Sequence, residues 1–335
     1  MSRPVVVFTD REHPDLDVER EILSSIDAEV IDLDGDVDAL ADALGRADAV
    51  CNQYTKLSAR TIDLFSPHCR VIAHYGIGTN TIDIEAASRR GIHVANAPHY
   101  CTEEVAVHAV ALLLALERGV VMYDRAFRGG SWTYKGEYPL HRLSGRRLGL
   151  VGYGRIAREV GRVARTLGYQ VLVHDPLVPA EAVAADGASP VDDLAELFAR
   201  VDAVSIHVPL TDSTRGMVSA DVLGRSRPGL RLVNTSRGGV IDERALAARL
   251  EDGSVVAALD VLAVEPPAAD DPMLDVPGAV LTPHVGFYSE EAYVELRETV
   301  ARNVVATLRD GAPLYSVNKI HLEGDSHVRC PQPAD

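Results

Sequence analysis

The chain is 335 residues long and carries 49 acidic against 33 basic side chains, a formal charge of -16. That length outgrows a single ordinary core and suits two domains, with a cleft between them as the expected seat of a small ligand. An acidic surface without a long basic block repels a phosphate backbone, which argues against nucleic acid as a partner. The cysteines, Cys51, Cys69, Cys101 and Cys330, form neither a C-x-x-C pair nor a His/Cys cluster at metal-ligand spacing. No disulfide framework and no metal site is therefore expected, and a reducing, cytoplasmic setting fits. The opening P-V-V-V-F is too short for a signal peptide, and the longest apolar run, Ala109 to Leu116, is too short to cross a bilayer, so no membrane is expected.

From Pro4 to Asn96 the runs V-V-V-F, A-E-V-I-D-L, D-A-V-C-N, R-V-I-A-H-Y and I-H-V-A-N alternate with amphipathic stretches. That alternation predicts parallel strands with crossover helices. Thr102 to Leu116, opening T-E-E-V-A, predicts a capped helix with Ala and Leu on most faces, buried between domains or subunits. The segment R-G-G-S-W-T-Y-K-G-E-Y-P-L follows with the only tryptophan, Trp132, and reads as an arm toward a neighbouring surface. A second βα series runs through R-L-G-L-V-G, Q-V-L-V-H-D, A-V-S-I-H-V, L-R-L-V-N-T, V-V-A-A-L-D and A-V-L-T-P, which suits a six-stranded, doubly wound dinucleotide-binding sheet. Helical periodicity returns from Ser289 to Leu308, and this helix is expected to pack back on the first domain. The expected division is a discontinuous substrate domain, 1–98 and 293–320, a cofactor domain, 99–292, and a flexible tail, 321–335.

In G-Y-G-R-I-A, Gly152 permits a tight turn after a strand, Gly154 lets backbone approach a pyrophosphate, and the small Ala157 allows close helix packing. The following helix would present its N-terminus to the anion. A glycine turn of this kind also occurs as a plain strand-to-helix connection; here an apolar strand precedes it and Asp175 ends the next strand. Asp175 reads either as the acceptor for the adenosine ribose, which favours NAD over NADP, or as a strand-end turn in H-D-P.

Farther along stand Arg237 in N-T-S-R-G, Glu265 in D-V-L-A-V-E-P-P and His284 in T-P-H-V-G. A guanidinium, a carboxylate and an imidazole are the set that holds a 2-oxo acid and protonates its carbonyl as hydride arrives. Each alone reads equally as an ion pair or cap. Together, after a dinucleotide turn, they point to an enzyme.

These motifs resemble the D-2-hydroxyacid dehydrogenase family from Ala49 to Asn318, and H-Y-G-I-G-T-N-T-I-D, N-A-P-H-Y-C-T-E-E-V-A and V-S-I-H-V-P-L-T-D-S-T are similar to further family patterns in the same order. Within it, H-V-G-F-Y-S-E-E and V-N-K are similar to the branch of C-terminal binding proteins, and I-G-T-N to phosphoglycerate dehydrogenases. The resemblance implies a two-lobed α/β protein, a flavodoxin-like substrate domain and a Rossmann-like domain binding NAD, assembled as a homodimer through the cofactor domains. It implies that Arg237 grips the substrate carboxylate, that His284 is the general acid in reduction, and that Glu265 orients the ring and favours its charged form. It assigns the substrate to Tyr54, His74 and the amides of Ile77 and Gly78, and the nicotinamide side to Thr235, Asp260 and Gly286. Tyr153, Arg155, Ile156, Pro209 and Thr214 complete the cofactor set, with His207, in an apolar strand pattern, read as either a structural histidine or a contact to adenosine.

Departures bear on the substrate. His74 stands where the nearest branch commonly has arginine, and the segment 51–56 offers Asn52, Tyr54 and Lys56 where phosphoglycerate dehydrogenases use arginines, which weakens a phosphorylated substrate. The expected function is reversible conversion of a small 2-oxo acid to a D-2-hydroxy acid. Its rivals are an NAD-sensing binding protein, disfavoured by Phe287 in place of that branch's tryptophan, and a dehydrogenase of a specialised, for example phosphonate-bearing, hydroxy acid. His99, His108 and His141 are read as structural.

Overall fold

A computed structural model describes residues 3–320. It divides into two compact units, one built from residues up to Tyr100 together with those from Ser289 onward, the other from Cys101 to Tyr288. The sequence-derived boundaries, 98/99 and 292/293, stand a few residues from these divisions. The expected tail 321–335 lies outside the described residues.

The first unit carries a parallel sheet of β1 (Val5–Phe8), β2 (Glu29–Asp32), β3 (Ala49–Asn52), β4 (Val71–His74) and β5 (His93–Ala95) in the order β2-β1-β3-β4-β5. That is the flavodoxin-like order. Strands β3 and β4 are buried along their whole length, as a parallel strand covered on both faces must be, which is why they read as unbroken apolar runs. Val50 and Ile72, paired in register, sit in a core with Val7, Leu57, Ile62 and Val94.

The helix Glu290–Asp310 belongs to this unit, with Ser289 capping its start by accepting from the Ala292 amide. Its buried Arg297 holds Glu19 through Nε at 2.9 Å and Nη2 at 2.8 Å, and also reaches Asp15 Oδ1 at 2.8 Å. Glu19 in turn accepts from the Tyr75 hydroxyl at 2.9 Å. Removing one partner of such a buried pair leaves an uncompensated charge and typically costs about 3–5 kcal/mol. Asn318 of the V-N-K motif completes the closure by accepting from the Val94 amide at 2.8 Å.

The second unit carries β6 (Arg147–Val151), β7 (Gln170–His174), β8 (Ser189–Pro190), β9 (Ala203–Ile206), β10 (Leu230–Asn234), β11 (Val255–Leu259) and β12 (Ala279–Leu281), parallel in the order β12-β11-β10-β9-β6-β7-β8. The order reverses beside β6, which pairs with both β7 and β9, and ligands of doubly wound sheets bind outside the strand ends at such a switch point. The six runs expected to form strands here do so; β8 is the addition, two exposed residues too short to carry an apolar pattern.

The helix Thr102–Arg118 packs Ala106, Ala109, Leu113 and Leu116 into the core of this unit and ends at Gly119, whose φ of 61° suits glycine. The expected cap differs: Cys101 occupies the N-cap and makes no side-chain capping bond. Nor is every apolar face covered, since Val107 is exposed. The arm that follows leaves Trp132 at 89% and Tyr134 at 86% exposure. Its base is fixed by buried Arg231, which donates to the Pro139 carbonyl at 2.7 Å and lies over the Tyr138 ring.

Among the described residues no single helix is long and apolar enough to cross a membrane, and no group of three or more His, Cys, Asp or Glu is placed to hold a metal.

Candidate active site

In a parallel sheet every strand delivers its carboxyl end to the same edge, so motifs distant in sequence converge there. At the end of β6, Gly152 has a φ of 86°, and a Cβ on it would fall 2.8 Å from Val208 Cγ1 and 3.0 Å from the His207 carbonyl carbon. Only glycine fits this turn. Gly154 caps the helix Arg155–Thr166 in extended conformation, and a Cβ there would meet nothing within 4 Å, so the space above the helix N-terminus is open to an anion. Ala157 is fully buried, and one turn later a Cβ on Gly161 would come within 3.2 Å of Leu150 Cδ1. Gly161, which the motif reading did not single out, is thus a second residue that lets the helix approach the sheet.

Asp175 at the end of β7 accepts from the Tyr153 amide through Oδ2 at 2.7 Å and from the Leu177 amide through Oδ1 at 2.8 Å. The strand-end turn is real, and the same carboxylate also braces the glycine turn. Tyr153 itself is buried beneath the Arg158 guanidinium, so its side chain belongs to the core rather than to the cofactor surface. Arg155 is exposed and Ile156 half-buried at the start of the helix. Past β9, His207 lies 2.8 Å from Ser205 Oγ, and burial lowers its pKa from 6.5 to about 4. The Thr214 hydroxyl donates to the Pro209 carbonyl at 2.6 Å and accepts from the Thr211 amide at 2.8 Å, which folds the loop they share.

The ends of β10, β11 and β12 carry the three candidate catalytic residues. Asn234, fully buried, accepts from the Ser236 amide at 3.0 Å and donates to the Arg237 carbonyl at 3.0 Å, so the N-T-S-R turn is wound around one amide side chain. Thr235 leaves its buried Oγ1 without a hydrogen-bond partner. Arg237 Nη1 donates to the Ser236 carbonyl at 2.6 Å. In the next loop Glu265 accepts from the Leu262 amide through Oε1 at 2.9 Å, while Oε2 lies 2.7 Å from His284 Nδ1. Burial pushes the Glu265 pKa up, but the bond to and charge of His284, the Leu262 amide and the Arg237 charge outweigh it, so the net shift is downward and the carboxylate stays ionised.

His284 adopts a left-handed φ of 52°, which costs a non-glycine residue about 1–2 kcal/mol. Its amide is held by the Asp260 carbonyl at 2.8 Å. Asp260, 2% exposed, collects Thr282 Oγ1 at 2.5 Å, the Val285 amide at 3.0 Å and the Gly286 amide at 2.9 Å. Burial again pushes this carboxyl up, and the donors from His108, Thr282, Val285 and Gly286 bring it below the usual range. His108, read from sequence as structural only, sits against this group; nothing in a helical Ala-Val-His-Ala pattern signals it.

The residues assigned to the substrate lie in the first unit, at the ends of β3 and β4. Asp10 gathers the amides of Gln53, Tyr54 and Thr55 into a loop that leaves Tyr54 60% exposed. His74 departs from expectation: it is 5% exposed, with Nδ1 3.3 Å from Asn52 Oδ1 and Nε2 beneath Gly76, so it supports the loop from below. Ile77 and Gly78 are half-buried, and the Ile77 carbonyl accepts from Asn96 Nδ2 at 2.7 Å.

A seven-stranded sheet with a glycine turn at its switch point and a His–Glu pair at the same edge defines an α/β dinucleotide-binding oxidoreductase architecture. Residues 110–286 match the family described as D-isomer specific 2-hydroxyacid dehydrogenase, NAD binding domain. The chain is 39% identical over 259 residues to a glyoxylate reductase of Korarchaeum cryptofilum, covering 76% of this chain and 77% of that one. It is 35% identical over 281 residues to a chloroplastic D-3-phosphoglycerate dehydrogenase of Arabidopsis thaliana, covering 84% of this chain but only 47% of the relative, so it spans about half of that protein's length. In structure it is similar to an NADPH-dependent glyoxylate/hydroxypyruvate reductase from Sinorhizobium meliloti, with a TM-score of 0.82, 32% identity and coverage of 94% of this chain and 97% of that one. The chain belongs to the D-isomer specific 2-hydroxyacid dehydrogenase family, NAD(P)-dependent oxidoreductases acting on CH–OH donors.

Proposed function

We propose that the chain interconverts a small, unphosphorylated 2-oxo acid and its D-2-hydroxy acid with NAD(H). The observation that carries this reading is the 2.7 Å contact of His284 Nδ1 with Glu265, set at the sheet edge that also holds Arg237 and the glycine turn. A nicotinamide cofactor supplies the hydride when bound. The residues present fit one: the turn at Gly152, the open N-terminus at Gly154, and Thr235 Oγ1, a buried hydroxyl that lacks a partner among the protein groups. Arg155, Ile156, His207, Pro209 and Thr214 complete that surface, with Asp260 and Gly286 beside Thr235.

Glu265 fixes Nδ1 of His284, leaving Nε2 to give a proton to the carbonyl oxygen in reduction and to take it back in oxidation. Arg237 binds the substrate carboxylate as a planar fork and polarises the adjacent carbonyl. On the first unit, the amides of Ile77 and Gly78 and the side chain of Tyr54 are the proposed substrate contacts, with His74 supporting their loop. Asp175 favours NAD over NADP, because its charge opposes a 2′-phosphate. The exposed Phe127, Trp132 and Tyr134 form an apolar arm suited to a second copy of the chain, and the buried thiols of Cys51, Cys69 and Cys101, none of them in a disulfide, suit a reducing cytosol.

The test is NADH oxidation with glyoxylate, hydroxypyruvate, pyruvate, phenylpyruvate and a phosphonate-bearing 2-oxo acid. Turnover with one or more of the first four is expected. Turnover of the phosphonate alone would move the substrate class, and NADH binding without any turnover would replace the enzyme by a nucleotide sensor.

A further inference from the structure

We propose that His108 is a positioning residue for the turn Thr282–Gly286 that carries His284. This rests on the assignment of His284 as the proton carrier. His108 Nε2 lies 3.1 Å from Thr282 Oγ1 and 3.4 Å from Asp260 Oδ1, and the Thr282 hydroxyl is itself 2.5 Å from Asp260 Oδ1. Asp260, ionised and buried, can only accept, so Thr282 gives it the hydroxyl proton. Thr282 Oγ1 is then left with lone pairs, and His108 must hold its proton on Nε2 to donate there. The hydrogen bonds therefore run in one direction, from the helix Thr102–Arg118 through Thr282 to Asp260, whose carbonyl receives the His284 amide at 2.8 Å. A second observation is steric. A Cβ on Gly286 would fall 2.9 Å from Asp260 Oδ2 and 3.1 Å from His108 Cδ2, so the far end of the turn is pressed against the same two side chains. With both ends of the turn referred to His108, the left-handed backbone at His284 has a fixed frame on each side.

Three variants test this: His108→Leu, which removes the donor; His108→Gln, whose amide can restore it; and Thr282→Val, which breaks the same chain at its middle. Two readouts are used. The first needs no substrate: the low-field Nδ1 proton of His284, deshielded by its bond to Glu265, followed by NMR. The second is steady-state kinetics with the best oxo acid of the panel. His108→Leu and Thr282→Val are each expected to broaden or lose that resonance and to lower kcat by at least about ten-fold, with NADH KM within about two-fold, because a small misplacement of the acid acts on the chemical step. The double variant should be no worse than either single one, and His108→Gln should recover both signals. Retention of the resonance and of kcat in His108→Leu, or additive losses in the double variant, would overturn the proposal. Should the wild type turn over no oxo acid, the dehydrogenase assignment falls while the NMR arm still decides the role of His108. Val107→Ala, on the exposed face of the same helix, serves as the control for helix perturbation.

Discussion

Gly238 lies so close to Leu262 that a Cβ built on it would fall 1.9 Å from the Leu262 carbonyl carbon and 2.3 Å from the Ala263 nitrogen. The obstacle is backbone, which cannot swing aside as a side chain would. Gly238 directly follows Arg237, and the Leu262 amide is the one that Glu265 accepts, so this contact sets how the guanidinium loop meets the carboxylate loop. Gly238→Ala should drive the loops apart and lower kcat/KM by about 10²-fold, as a displacement near 1 Å can. NADH affinity, measured by titration, should change far less. Normal kcat/KM in this variant would show that the two loops function independently.

The Glu265–His284 pair should behave as a unit. His284→Ala is expected to lower kcat by about 10²–10⁴-fold with NADH binding retained, the usual contribution of general acid catalysis. Glu265→Gln keeps an acceptor for the Leu262 amide but loses the charge beside the ring, so it should also lower kcat. In the double variant the loss should match that of His284→Ala if Glu265 acts through the ring it holds at 2.7 Å. Additive losses would give Glu265 a role of its own.

Asp175 makes a prediction about the cofactor. Its carboxylate is anchored by the amides of Tyr153 and Leu177, and the following residues, Pro176, Leu177 and Val178, offer no cation for a 2′-phosphate. NADH should therefore give higher kcat/KM than NADPH. Asp175→Ser should narrow that ratio by weakening NADH and relieving repulsion of NADPH. Equal use of both cofactors by the wild type would remove Asp175 from cofactor selection, a live question in a family that includes an NADPH-dependent relative.

How much of this was legible depended on whether a property lies along the chain or across it. Eleven of the strands announced themselves as short β-branched or apolar runs, most of them buried and β2 half-buried, whereas β8, with two exposed residues, has no such pattern. Gly152, Asp175, Arg237, Glu265 and His284 could be singled out because the chemistry proposed for them is tied to local motifs, N-T-S-R-G among them. His108 and the buried role of His74 were not, since each depends on which side chain a distant element presents: Asp260 and Thr282 for the first, Asn52 for the second. Tyr153 misled for a related reason. Its place within the glycine motif concerns its backbone, while its ring was free to join the core.

His207 gives a pH prediction for stability. Burial lowers its pKa from 6.5 to about 4, so in the folded protein the ring stays neutral where the unfolded chain would protonate it. Between those two values the unfolded state binds more protons, and stability must fall as pH is lowered from about 6.5 toward 4, with no further loss from this group below that. A shift of this size corresponds to roughly 3 kcal/mol in full, less where solvent reaches the half-buried ring. His207→Asn removes the titrating group while leaving an amide to face Ser205 Oγ. Denaturant midpoints at pH 7 and pH 4.5 (chosen conditions) should therefore differ less in the variant than in the wild type, even if its stability at neutral pH is lower. An equal acid sensitivity of the two proteins would place the loss elsewhere, for instance at His13 or His93, whose pKa values burial also lowers.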